Sequence, residues 1–172
     1  MPYSYASFKD VVVQHLRNNL DHAALILDVG AGCGTYGKLL HEYFPNMYAI
    51  EIYPKYLEMF KFEQWYIEVY LEDIRNFDYE MYEYLIMGDV IEHLSVEDAK
   101  KLITDVTERG KKCLVTVPYL FQQGEEYGNV HEIHLQDDLT PEIMLKRYPE
   151  LKFLCGDSHY GYYINYDVPN NN

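Results

Sequence analysis

Two patterns of apolar residues alternate along the chain. Nearly continuous apolar runs cover residues 24–29, 46–52, 66–71, 84–87 and 112–117, with the length and character of buried strands. Helically spaced stretches separate them. Phe8, Val11, Val12, Leu16 and Leu20 form one stripe over 8–20, a helix is expected over 35–43, and Pro54 begins another that turns Tyr56, Leu57 and Phe60 inward. Ser95 and Asp98 make a capping box for a helix running to about Glu108. This strand–helix alternation predicts an α/β fold around a mostly parallel sheet.

The pattern changes after Pro118. Residues 122–138 are polar, glycine-bearing and almost without periodicity, too long for an ordinary connection and of the kind that carries function. Thr140 and Pro141 then start a helix through Tyr148, and residues 151–154 and 160–166 read as two late strands around Gly156-Asp157-Ser158-His159. No linker or repeat divides the chain, so 1–172 reads as one domain with a frayed tail over 168–172.

Chemistry concentrates where strands end. The first run passes into Asp28-Val29-Gly30-Ala31-Gly32-Cys33-Gly34. Alternate glycines there allow a tight turn and close approach by a ligand, and a helix start behind them would present unpaired N–H groups. Glu51 ends the second run, Asp73 the third and Asp89 the fourth. In open α/β sheets ligands bind outside the carboxyl ends of the strands, so four acids in that register point to one binding site.

Composition narrows the partners. Twenty-eight acidic against 14 basic residues leave a formal charge of −14, a field that repels phosphate backbones and anionic lipid. The basic pairs Lys100-Lys101 and Lys111-Lys112 read as solvated positions. Nucleic acid is thereby disfavoured, and no apolar run is long enough to span a bilayer. Cys33, Cys113 and Cys155 are few, odd in number and widely spaced, as expected of free thiols in a reducing, cytoplasmic setting. The 19 tyrosines read mainly as packing. A homo-oligomer is left open.

The glycine string with its leading acid resembles motif I of the class I S-adenosylmethionine-dependent methyltransferases, and the resemblance extends over about residues 24–166. It implies a three-layer Rossmann-like fold, a seven-stranded mostly parallel sheet with the last strand antiparallel, and S-adenosylmethionine as cofactor. It also implies roles. Asp28, Gly30, Ala31, Gly32 and Gly34 would hold the methionine end, Glu51 with Ile52 the ribose hydroxyls, Asp73 and Ile74 the adenine, while Asp89 and Val90 close the site. Gly32-x-Gly34-x-x-Gly37 also fits a dinucleotide fingerprint with Glu51 as its acid, but hydride transfer needs no acid at the third strand end and no catalytic Tyr–Lys pair is evident.

On the acceptor side, Asp89, Glu92, His93, His131 and His134 are candidates, with His131, His134 and His93 as catalytic bases. Residues 118–138 and the N-terminal helix are expected to cover the pocket. Transfer to an O or N atom of a small-molecule, sugar or side-chain acceptor is the reading that follows. The order Asp89-x-x-Glu92-His93 with a later histidine is also similar to the metal-binding set of small-RNA 2′-O-methyltransferases. Three departures separate the chain from that group: Asp stands where Glu is expected, RNA-clamping basic residues are missing, and the net charge is wrong. No metal ligand is assigned. A methyltransferase fold kept only for binding is the other alternative, opposed by the intact Asp28, Glu51 and Asp73. No Asn/Asp-Pro-Pro-Tyr segment follows the fourth strand, which argues against the amino-group DNA methyltransferases.

Overall fold

The computed structural model describes residues 5–168, so the expected frayed tail lies, beyond Val168, outside the described residues. In chain order the elements are α1 (Lys9–Asn19), β1 (Ile26–Val29), α2 (Thr35–Leu40), β2 (Met47–Glu51), α3 (Pro54–Met59), β3 (Val69–Leu71), β4 (Tyr84–Gly88), α4 (Val96–Glu108), β5 (Lys112–Pro118), α5 (Pro141–Arg147), β6 (Lys152–Gly156) and β7 (Tyr160–Ile164). The strands form one seven-stranded sheet in the order β3-β2-β1-β4-β5-β7-β6. Only β7 runs against its neighbours. The α/β architecture with its antiparallel last strand is therefore the one expected.

β1 sits at the centre because all four of its residues are buried, and it pairs in parallel with both β2 and β4. Strand alternation sends Leu27 and Val29 to one face and Ile26 and Asp28 to the other. The first face meets α4 and α5 through Leu102, Ile103, Val106, Met144 and Tyr148. The second meets α1 and α2 through Val12, Leu16, Tyr36 and Leu40. α4 forms as expected: the Ser95 hydroxyl caps it by accepting from Asp98 N at 3.1 Å, and one stripe faces inward. Strand order reverses between β1 and β4, so their carboxyl ends open a crevice at the switch point.

Several elements are shorter than expected, α2 and β3 by three residues each. α2 stops at Leu40 because Tyr43 and Phe44 both donate to the Leu40 carbonyl, closing the helix ahead of Pro45, which disfavours helical backbone before it. β3 begins at Val69 because Phe62–Gln64 winds into a 3₁₀ turn and Tyr66 turns into the core. The long segment after Pro118 has little regular structure beyond a 3₁₀ turn, Val130–Glu132.

Candidate functional site

The loop after β1 is built on glycine for steric reasons. Gly30, Gly32 and Gly34 all have φ between 55° and 77°, a region costly for other residues. A Cβ on Gly30 would also lie 2.9 Å from Val90, and one on Gly34 2.7 Å from the Trp65 ring. The amides of the loop itself are already paired. Gly30 and Ala31 donate to Ile50 O, Gly32 to Glu51 Oε2 and Gly34 to Ala31 O. The loop therefore offers a ligand close approach, with these N–H groups turned inward.

Beside this loop lies a cavity of about 490 Å³, within the range of small-ligand sites. Its walls include Asp28, Gly30, Ala31, Gly32, Glu51, Ile52, Asp73, Ile74, Asp89 and Val90. All the residues expected to bind cofactor thus border it except Gly34, which packs against Trp65. From the other side it is bordered by 129–133 and Leu135 of the long segment. α1 is a correction: none of its residues borders the cavity. It packs on the sheet face of Ile26 and comes nearest the cavity through buried Lys9, which donates to the hydroxyl of the cavity residue Tyr36 at 2.8 Å. Burial lowers the Lys9 pKa to about 8, against the pull of Asp89 and Asp28.

Each strand-end acid has its own environment. Asp28 is 2% exposed and accepts from the Tyr66 hydroxyl at 2.5 Å, while that hydroxyl accepts from Gly37 N at 3.0 Å. Burial pushes the Asp28 carboxyl up to about 7, partly offset by Tyr66. Glu51 is also buried, which raises its pKa, and its two oxygens accept from Gly32 N and Tyr53 N, both at 2.9 Å. Each oxygen keeps a second lone pair for a hydroxyl donor. Asp73 is held by Arg75 through its guanidinium and backbone N–H, which lowers its pKa, and Arg75 reaches on to Asp98 at 3.1 Å. Asp89 adopts φ 56° at the tip of β4, and its carboxylate accepts from the Tyr160 hydroxyl.

The histidines divide. His93 and His131 border the cavity, whereas His134 stands behind its wall, ring to ring with His93 at 4.7 Å. His93 is brought to a pKa of about 4 by burial and by His134. Burial also lowers His134 and raises the wholly buried Glu92, with Asp89 adding to the effect.

The segment bearing these groups is tied down. The Tyr56 hydroxyl donates to Glu132 at 2.8 Å, and Gln123 donates to the same residue's side chain and carbonyl. Leu135 and Gln136 donate to the Glu92 carbonyl at 2.8 and 3.1 Å. Sequence reasoning missed Tyr66, Arg75, Tyr160 and the Tyr56–Glu132 tether. Only Arg75 carried a local signal, standing two residues after Asp73; the others meet their partners across long sequence separations.

No protein-family model matches the chain, and no curated protein matches it in sequence. Solved structures do match in fold. An S-adenosylmethionine-dependent methyltransferase from Clostridium acetobutylicum superposes with a TM-score of 0.66 at 14% identity, covering 94% of this chain and 91% of its own. An amino pentose methyltransferase from Micromonospora echinaspora with bound S-adenosylmethionine gives 0.65 at 14%, covering 95% and 92%. A sugar N-methyltransferase from Streptoalloteichus gives 0.64 at 13%, covering 92% and 86%. The chain has the class I methyltransferase fold.

Proposed function

We propose that this protein is an S-adenosylmethionine-dependent methyltransferase acting on an O or N atom of a small-molecule or sugar acceptor. The observation that carries this reading is the convergence of the glycine loop and four strand-end acids, Asp28, Glu51, Asp73 and Asp89, on one cavity of about 490 Å³. Similarity in fold to methyltransferases of sugars supports the acceptor class. The glycines leave a cradle that a Cβ at residue 30 would fill, and the residual lone pairs of Glu51 suit a vicinal diol.

When bound, S-adenosylmethionine supplies a methyl group already activated on a sulfonium. What remains for the chain is alignment, exclusion of water and management of one proton. Glu51 would hold the ribose through both oxygens. Asp73 would accept from the adenine amine while Arg75 fixes its carboxylate, and Ile74 lies beside it. Asp28, anchored by Tyr66, would hold the amino-acid end, and the glycine loop would let it approach closely. Asp89 and Val90 would close the wall next to the acceptor. His131 lies on the cavity wall contributed by the tethered loop and is our assignment for the group that takes the acceptor's proton; His93 would shape that wall.

Titration calorimetry with S-adenosylmethionine and S-adenosylhomocysteine tests the reading. Wild type should bind both with Kd on the order of micromolar, about −8 kcal/mol. Glu51→Gln, which keeps an acceptor for Gly32 N–H, should weaken both at least about tenfold, consistent with loss of a charge-assisted hydrogen bond. A folded wild type that binds neither ligand overturns the proposal.

A further inference from the structure

The cavity is charged on one side of zero. Among the described residues that border it, Arg75 is the one lysine or arginine, against acids at the ends of β1 to β4 and on the long loop. Arg75 is already engaged by Asp73 and Asp98. His93, on the same wall, is neutral at physiological pH because its pKa is about 4.

The cofactor accounts for only part of this charge. Glu51, Asp73 and Asp28 are assigned to its ribose, adenine and amino-acid end. Asp89 and Glu132 remain, one at the tip of β4 and one on the tethered loop, and both act on Glu92 behind the wall. Glu92 is 0% exposed, and neither carboxylate oxygen has a hydrogen-bond partner. A carboxyl group so placed is costly unless a positive charge comes near it. Lys9 also acts on Asp89, but it approaches from α1, donating to the Tyr36 hydroxyl from outside the cavity wall.

The rim of the same cavity is apolar. Val130, Ile133 and Leu135 border it from the long loop, and all three are exposed. Apolar side chains gathered in the open at a cavity mouth mark a binding surface. Nor is their exposure the result of a loose loop. Leu135 N donates to Glu92 O at 2.8 Å, His134 N to Gln123 O at 3.0 Å, and Tyr56 holds Glu132. The loop is fastened with these side chains left in contact with water. A ligand suited to both features has a positive head for the acidic interior and an apolar body for the rim.

We infer that the methyl acceptor is an amine on an apolar body, its ammonium group held near Asp89 and Glu132 and its apolar part lying along Val130, Ile133 and Leu135. This inference narrows the methyl-transfer reading and rests on it. The same field turns away acceptors that carry carboxylate or phosphate. The bound ammonium group gives one proton to His131, and the freed nitrogen lone pair forms the new N–C bond. The C–S pair returns to sulfur, leaving a thioether and a methylated ammonium.

The test measures binding to the full chain saturated with S-adenosylhomocysteine, by ligand-observed NMR. The probes are 2-phenylethylamine, tryptamine and hexylamine, each beside the alcohol and the carboxylate of the same skeleton, with glucosamine as an amine lacking an apolar body. Each amine should bind at least about tenfold more tightly than its alcohol, and the carboxylates and glucosamine more weakly still. Asp89→Asn and Glu132→Gln keep an oxygen for Tyr160 and Tyr56 and should remove most of the amines' advantage. Leu135→Ser, on the exposed rim, should weaken amine and alcohol alike by about threefold or more. If an acid variant does not fold, the wild-type panel and Leu135→Ser decide the matter. Failure to bind S-adenosylhomocysteine overturns the methyl-transfer reading and this inference with it. With S-adenosylhomocysteine bound, no amine binding below about 10 mM, or alcohols or carboxylates that match the amines, overturns this inference alone. Glucosamine binding as tightly as hexylamine overturns the apolar body.

Discussion

Asp28 combines an expected position with an unexpected setting. Its carboxyl is buried beneath the glycine loop with a pKa of about 7, against 3.8 as a free side chain. Between those values the folded protein keeps a proton that the unfolded chain has released. Stability therefore falls as pH rises from about 4 to 7 and levels off above. An asparagine at this position would have nothing to titrate while still accepting from Tyr66. In urea melts, Asp28→Asn should gain on wild type progressively across that window, by a few kcal/mol in all. A stability difference that stays flat from about pH 4 to 7 would contradict this. His131 lends itself to a different test: His131→Gln should leave S-adenosylhomocysteine affinity within about twofold while lowering methyl transfer to an accepted substrate about 100-fold, the scale of general-base loss.

At the scale of elements, the loop after β5 is the structure's least regular and most consequential segment. It carries His131, Glu132 and His134, and bonds within the segment, such as Gln123 to Glu132 and His134 N to Gln123 O, fold it on itself. Tethers to other elements fix its position, chiefly Tyr56 to Glu132 and the 135–136 amides to Glu92. A buried hydrogen bond to a charged group is worth about 1.5–3 kcal/mol. Tyr56→Phe should therefore speed amide exchange over 122–134 by roughly 10–100-fold and leave β1 and β4 unaffected. Uniform acceleration across the sheet would mean that Tyr56 supports the core instead. α4, by contrast, is locally specified. Ser95→Ala removes its cap and should cost about 1 kcal/mol in thermal unfolding without altering the sheet.

Across the whole molecule, charge limits the partners. Among the described residues, five of the 14 bases pair with acids: Arg75 with Asp73 and Asp98, Arg109 with Asp105 and Glu80, Lys111 with Glu80, Arg147 with Asp138, Lys152 with Asp167. A net charge of −14 then has little local relief. Fluorescence anisotropy with a labelled single-stranded RNA should show no binding at about 0.15 M salt, since non-specific affinity comes from neutralising phosphates. Saturable micromolar binding would instead revive an RNA acceptor. Among the described residues, no helix is long and apolar enough to cross a membrane.

Hydropathy period, glycine spacing and acid placement were enough to order strands and helices and to mark Asp28, Glu51, Asp73 and Asp89 as strand ends facing one crevice. These are local signals: a strand, a turn that only glycine enters and a capping serine each depend on residues within a few positions. Tertiary structure alone decided what those signals could not carry. The loop amides turn inward because Ile50 and Glu51 lie beside them. α1 stays off the cavity because its apolar stripe is buried against Ile26, Tyr162 and Ile164. His93 meets His134 across 41 residues, and Tyr66 meets Asp28 across 38. Such contacts have no period to read, because the sheet's strand order brings them together after the local elements have formed.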